Sequence, residues 1–419
     1  MKNFSFHRSQ FDNGVVFLHH RTSAVPLVSV NLFLLVGKDQ NPPDRPGLAN
    51  FVARMLDEGT ERWTHEEFSR RLEDMGAEMH TFCEREITGV CLTLQSRFLE
   101  SGVECLAEMA QRAIFPAERI RRQRNLILEH LEATADDGEL LGSQALNSRI
   151  YRGTSLAFPT LGTPESIQSV TSEELVHFHA TRYGPKGCYV IVVGDVEASA
   201  AESVVAERFA GWSNPDQVRM RTGPFERQTS PERVELFLER EQVHVFLGHL
   251  GMDRTHPDFY AAQVMDAVLG GGNGFVSRIP QRLRDEMGVV YVAFADLSDS
   301  AGIYPGRFVA YAGTHPRRAR LAHRILVEEV RRFREEGPAE AELEIAKSYL
   351  TGSFPLEFQS NLSVARLLLG MEVFGLGDDF PARYGELIGE VGCRDVRRVA
   401  RAFLDPLNYT SVFVGKKAE

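Results

Sequence analysis

Tyr183-Gly184-Pro185 followed by Tyr189-Val190-Ile191-Val192-Val193-Gly194 reads as a helix end, a proline break and a strand closed by glycine. Leu404-Asp405-Pro406 followed by Tyr409-Thr410-Ser411-Val412-Phe413-Val414-Gly415 repeats that signature near the end of the chain. One unit written twice points to internal duplication, so the pattern predicts two similar α/β domains of ordinary size.

Upstream of the first copy, residues 15–20 and 27–34 are β-branched or aromatic runs separated by a turn at Pro26, which predicts two paired strands. Pro46 opens and Gly59 closes a helix running through Met55, the usual proline-first, glycine-last asymmetry. Thr64-His65-Glu66-Glu67 is a capping box and starts a second helix ending at Gly76. Strands are expected over 78–83 and 87–94, then helices over 99–113, 116–136 and 140–151, and Thr171-Ser172-Glu173-Glu174 opens one more. The second half repeats the order, with strands over 234–238 and 243–248, a helix over 257–269, strands from Tyr291 and over 307–311, and helices within 316–403. Hairpin strands with helices in blocks predict an α+β fold, two sandwiches of mainly antiparallel sheet with helices packed on it, rather than a doubly wound sheet. Pro215, Gly223 and Pro224 mark a polar linker over 213–230, which sets the expected domains at 1–212 and 231–419.

A chain of 419 residues, 43% apolar and 25% charged, has globular composition and length enough for two cores. Lys and Arg number 47 against 58 Asp and Glu, and the net charge of −11 argues against nucleic acid or an anionic membrane as partner. Cys83, Cys91, Cys105, Cys188 and Cys393 are an odd count without a Cys-x-x-Cys pair, so they read as small buried apolar residues. No apolar run approaches the ~18 residues that cross a bilayer, and the first residues lack a signal-peptide core. A cytoplasmic setting is expected.

Gly270-Gly271-Gly272-Asn273-Gly274 follows an apolar helical run and precedes a return to helical spacing. Glycines so dense cannot be helix interior, because they forfeit the most backbone freedom on ordering. Without a Gly-Lys-Ser/Thr ending, and following a helix, the segment is no nucleotide loop. A helix C-cap and linker is its plainer reading. Arg284 near the next helix end and Tyr291 at the start of a strand turn Gly270, Gly271, Gly272 and Gly274 into one side of a candidate ligand clamp.

This order of elements, with Gly47-Leu48-Ala49-Asn50-Phe51-Val52-Ala53-Arg54-Met55-Leu56-Asp57-Glu58-Gly59-Thr60, Gly162-Thr163-Pro164-Glu165-Ser166-Ile167 and Val193-Gly194-Asp195, resembles the pitrilysin/insulinase family of zinc peptidases over nearly the whole chain. The resemblance implies two homologous domains facing each other as a clamshell, usually in two-subunit assemblies that enclose a peptide chamber. Active members carry His-x-x-Glu-His on the first helix and a distal Glu on a later one. Two histidines one turn apart can face one metal while the Glu activates its water. The matching positions here hold Asn50, Ala53 and Arg54, and His130 stands where the distal Glu belongs. Asn is a poor zinc ligand, Ala has no basic atom, and Arg offers donors without a lone pair. No metal is therefore expected in this chain, and zinc only in a partner. The same resemblance makes Arg284 and Tyr291 the pair that holds the substrate carbonyl beside the zinc of the opposing domain, a task suited to a cationic fork and a hydroxyl donor. The other histidines complete no motif: His177 and His179 point to different helix faces, and His19 and His20 to opposite sides of a strand.

The resemblance thus implies a non-catalytic, peptide-binding subunit of a heterodimeric zinc metallopeptidase. Its partner would be a zinc-bearing homologous subunit, or a second copy of itself, and by the same likeness an edge strand near residues 79–86 would add extended peptides. Two alternatives stand beside it: a metallopeptidase with a site rebuilt around Glu129 and His130, and a peptide-binding or maturation factor with no proteolytic partner.

Overall fold

The computed structural model describes residues 4–271 and 277–416. Its strands are β1 (His7–Gln10), β2 (Val16–Arg21), β3 (Leu27–Leu34), β4 (Glu78–Cys83), β5 (Thr88–Gln95), β6 (Cys188–Gly194), β7 (Glu232–Phe237), β8 (Val243–Leu250), β9 (Val290–Asp296), β10 (Arg307–Thr314) and β11 (Thr410–Gly415). They form two sheets, in the orders β1-β2-β6-β3-β5-β4 and β7-β11-β8-β10-β9. The two are wired alike. In each, the first common strand runs parallel to the last (β2 with β6, β7 with β11), and the other neighbours are antiparallel. β1 extends the first sheet beyond the shared pattern, pairing antiparallel with β2. This is the expected α+β class, and the duplication leaves β4 and β9 in equivalent places at a sheet edge.

The chain divides into two compact units that are not contiguous in sequence. Met1–Glu132, Phe158–Thr222 and Leu356–Asp378 make the first; Ala133–Ala157, Gly223–Pro355 and Asp379–Glu419 make the second. In the first unit the helix Asn361–Phe374 packs on β3 and β6, although it lies far along the chain from both. In the second unit the helix Gly138–Ile150 packs on β8 and β11, so closely that a Cβ at Gly142 would stand 2.2 Å from the Phe246 ring. A half-chain therefore finds part of its sheet cover in residues from the other half.

Local chemistry sets the helix ends that matter. Thr64 and Glu67 form the expected capping box, and the helix His65–Met75 closes on Gly76 in a left-handed conformation, φ +58°. The first helix begins at Leu48, not at Pro46: Gly47 caps it with φ +91°, and a Cβ there would meet the Leu161 carbonyl oxygen at 2.7 Å. Glycine is thus needed at 47 because the loop through Gly162 presses against it. Phe51, Val52 and Met55 then bury fully in the first core, on the order of 1.5–3 kcal/mol each. No described helix is long and apolar enough to cross a membrane.

Candidate functional site

In the first unit, the helix Leu48–Met55 carries Asn50, Ala53 and Arg54, the positions that match the zinc motif in sequence. Asn50 is 7% exposed, and its buried Nδ2 has no hydrogen-bond partner among the described residues. Ala53 is buried. Arg54 is half-buried, and burial alone acts on its guanidinium, lowering its pKa from the usual value. His130 lies on the exposed side of the helix Ala117–Ala133, beside exposed Glu129. An amide donor, a methyl and a cation do not fit a divalent metal, and among the described residues no group of three or more His, Cys, Asp or Glu is placed to hold one. The two helices adjoin: the Arg124 guanidinium stands 5.9 Å from the Phe51 ring centroid, and buried Glu58 accepts hydrogen bonds from Arg119 and Gln123. The edge strand β4 packs against the helix Leu48–Met55.

In the second unit, Arg278–Pro280 is one α-helical turn that widens into a π-helical turn over Gln281–Glu286. The Met287 N–H reaches the Arg282 oxygen at 3.1 Å, and the chain reverses at Gly288, φ +59°. π-Turns often mark functional sites because the extra residue re-aims a side chain. Ile279 and Leu283 are buried, Arg278 forks onto the Glu342 carboxylate at 2.6 Å twice, and Arg282 meets buried Glu329 at 2.8 Å. With its neighbours so anchored, Arg284 is one-third exposed and lies on the carboxylate of Asp285, Nε to Oδ1 2.8 Å. Tyr291 is 65% exposed on the edge strand β9, which packs beside the π-turn. The structure thus brings the elements bearing Arg284 and Tyr291 side by side. Gly272 and Gly274 lie outside the described residues. Gly270 has a packing reason of its own, since a Cβ would fall 2.3 Å from the Ala295 nitrogen, and the Gly271 N–H is bonded to the Asp266 oxygen at 2.6 Å.

Residues 16–164 match the family described as "Insulinase (Peptidase family M16)", and residues 169–350 match "Peptidase M16 inactive domain". The chain belongs to the M16 insulinase family. Its sequence is 23% identical over 351 residues to the uncharacterized zinc protease YmxG of Bacillus subtilis, covering 84% of each chain. It is 27% identical over 374 residues to an uncharacterized zinc protease of Mycobacterium leprae, covering 86% of this chain and 81% of that one. Among solved structures, the M16 inactive domain of Pseudomonas fluorescens superposes with a TM-score of 0.90 at 22% identity, covering 99% and 98% of the two chains. A protease from Helicobacter pylori superposes with 0.88 at 19% identity, covering 98% and 100%. These likenesses establish the M16 fold.

Acids not singled out in the sequence shape this part of the second unit. Asp266 is the one acid in the otherwise uncharged helix Phe259–Leu269, and that is the signal that would have found it. Its buried carboxyl accepts from the Leu297 N–H at 2.9 Å, the Ser298 N–H at 2.8 Å and the Ser298 hydroxyl at 2.6 Å, tying the start of the glycine stretch to the end of β9. Burial pushes its pKa well above the ordinary carboxylate value, and Asp296 adds to the rise. Asp296 itself is pushed up to about 7, first by burial and then by Asp299, with Arg307 opposing. A carboxyl whose folded pKa exceeds its unfolded value of about 4 favours the fold fully below that value and loses this advantage as pH climbs to its folded pKa. Asp296→Asn should therefore gain stability over wild type progressively between about pH 4 and 7, then keep a constant lead. Urea denaturation at several pH values reads this difference, and a difference independent of pH refutes it.

Proposed function

We propose that this chain is the non-catalytic, peptide-binding subunit of a two-chain M16 peptidase, lending Arg284 and Tyr291 to the active site of a zinc-bearing homologue. The observation that carries the reading is chemical. Where zinc hydrolysis needs two imidazoles and a carboxylate on one helix, this helix offers an amide, a methyl and a guanidinium, and the amide nitrogen is buried without a partner among the described residues. What remains intact is suited to holding a peptide. β4 is an edge strand whose open side can pair with an extended backbone. Arg284 and exposed Tyr291 are donors matched to a carbonyl oxygen that becomes negative during attack. Zinc belongs to the partner, where it would activate water; this chain binds and orients. A cytoplasmic setting is part of the same proposal.

The test is to purify the chain alone and with its zinc-bearing homologue, count metal on each and follow peptide cleavage. The chain alone should hold no stoichiometric zinc and cleave nothing, and mixing should raise the partner's cleavage sharply. A partner equally active alone removes the subunit role. Tightly held zinc in this chain, lost in His130→Ala, would replace the reading with that of a rebuilt metallopeptidase.

A further inference from the structure

We infer that the turn between Asn50 and Arg54 of the helix Leu48–Met55 is a carboxylate-binding subsite, with Arg54 and Asn50 as its donors, which reads either the C-terminal carboxylate or an acidic side chain of a peptide. The inference rests on the peptide-binding role proposed above and gives that role a specificity.

Asn50 and Arg54 are four apart on the helix Leu48–Met55, so they share one face. Both are unsatisfied. The Asn50 side chain is more than nine-tenths buried, and its Nδ2 finds no acceptor among the described residues. A side-chain amide kept from water without a partner forfeits on the order of 1–3 kcal/mol, and native proteins rarely leave one so. Arg54 has no hydrogen bond or ion pair with any described residue, and no carboxylate offsets the cost of its partial burial. Most arginines in partly buried positions of this acidic chain do find an acid: Arg119 meets Glu58, Arg278 meets Glu342 and Arg282 meets Glu329. Arg54 is left without one, beside an amide that also lacks an acceptor.

A carboxylate answers both groups. One oxygen or both can take the guanidinium fork, which stays charged at any physiological pH, and a turn of the Asn50 side chain out of its enclosed position brings its N–H to an oxygen. β4 packs against this helix, so a peptide lying along the free edge of β4 would pass it.

The experiment uses the full chain and four fluorescent extended peptides of about ten residues, a length suited to strand addition. They carry central Glu or Gln and end in a free acid or an amide. Binding is read by anisotropy for wild type, Arg54→Gln and Asn50→Leu. In parallel, phenylglyoxal modification of Arg54 is followed by mass spectrometry with and without glutarate, against exposed Arg394 as reference. One acidic form should bind roughly tenfold more tightly than its neutral twin, and the pair that shows the difference, central or terminal, names the source. Arg54→Gln should abolish the difference while leaving the neutral peptides' affinity unchanged, and glutarate should slow modification of Arg54 but not of Arg394. Equal affinities for acidic and neutral peptides, with no protection by glutarate, overturn the inference. If no peptide binds but glutarate protects Arg54, and Asn50→Leu cancels that protection, the carboxylate site stands and the peptide-binding role falls.

Discussion

Arg284→Ala should lower peptide turnover by the proposed two-chain peptidase on the order of 10²-fold, with assembly of the two chains unchanged. The magnitude follows from what the group is asked to do. A donor aimed at a carbonyl that becomes an oxyanion strengthens its bond in the transition state, so its loss should appear in kcat as well as in kcat/KM. A residue that merely helped the peptide to bind would change KM alone. Arg278 and Arg282 anchor the π-turn to Glu342 and Glu329, so the turn should keep its fold when the Arg284 side chain is removed. Arg284→Lys keeps the charge but not the fork, and should recover part of the rate. Tyr291→Phe removes one neutral hydroxyl donor and should cost roughly tenfold. Full activity in Arg284→Ala would take this residue out of the site.

The parts of this architecture that a reader of the sequence can recover are those with a short period. β6 and β11 announce themselves as β-branched runs closed by glycine, and the likeness of the two runs already implies the shared wiring. Helix type and extent are similarly legible, as with the Thr64 capping box. Which sheet a helix covers is not, because periodicity shows an apolar face without naming its partner. The helix Asn361–Phe374 therefore gives no hint that it packs on β3 and β6. The candidate sites divide in the same manner. Residue type at 50, 53 and 54 is enough to question zinc, yet only coordinates show that the Asn50 amide is buried and unpaired. Arg278 and Glu342 are 64 positions apart, and nothing local in either stretch predicts that they meet. Asp266 sits between, since a lone acid in an apolar helix asks for buried donors without saying which ones.

What holds the helix Leu48–Met55 in place leads to a large effect on stability. Glu58→Ala should cost on the order of 3–5 kcal/mol. Glu58 is 3% exposed and accepts hydrogen bonds from Arg119 Nε and Gln123 Nε2, with His65 Nδ1 at 3.6 Å. Arg119 and Gln123 are one turn apart on the helix Ala117–Ala133, and Glu58 follows the helix Leu48–Met55 by three residues, so this one carboxylate staples the two helices together. An exposed pair of this kind would contribute only about 0–1 kcal/mol. Burial decides otherwise: Arg119 is 15% exposed, its Nη2 is already buried without a partner among the described residues, and removing Glu58 leaves a guanidinium out of water with only exposed Glu66, 3.8 Å away, to balance it. Glu58→Leu combined with Arg119→Met removes both charges together and should return close to wild-type stability, because the penalty lies in the orphaned charge and not in the absence of attraction. Urea denaturation of the two variants separates these cases, and a loss below about 1 kcal/mol in Glu58→Ala would mean that the pair is solvated. The double variant also bears on the carboxylate subsite. With the staple replaced by apolar packing and the helices still in register, Arg54 and Asn50 should keep their preference for acidic peptides; if stability returns while the preference vanishes, the subsite depends on the field of this ion pair as well as on its own two donors.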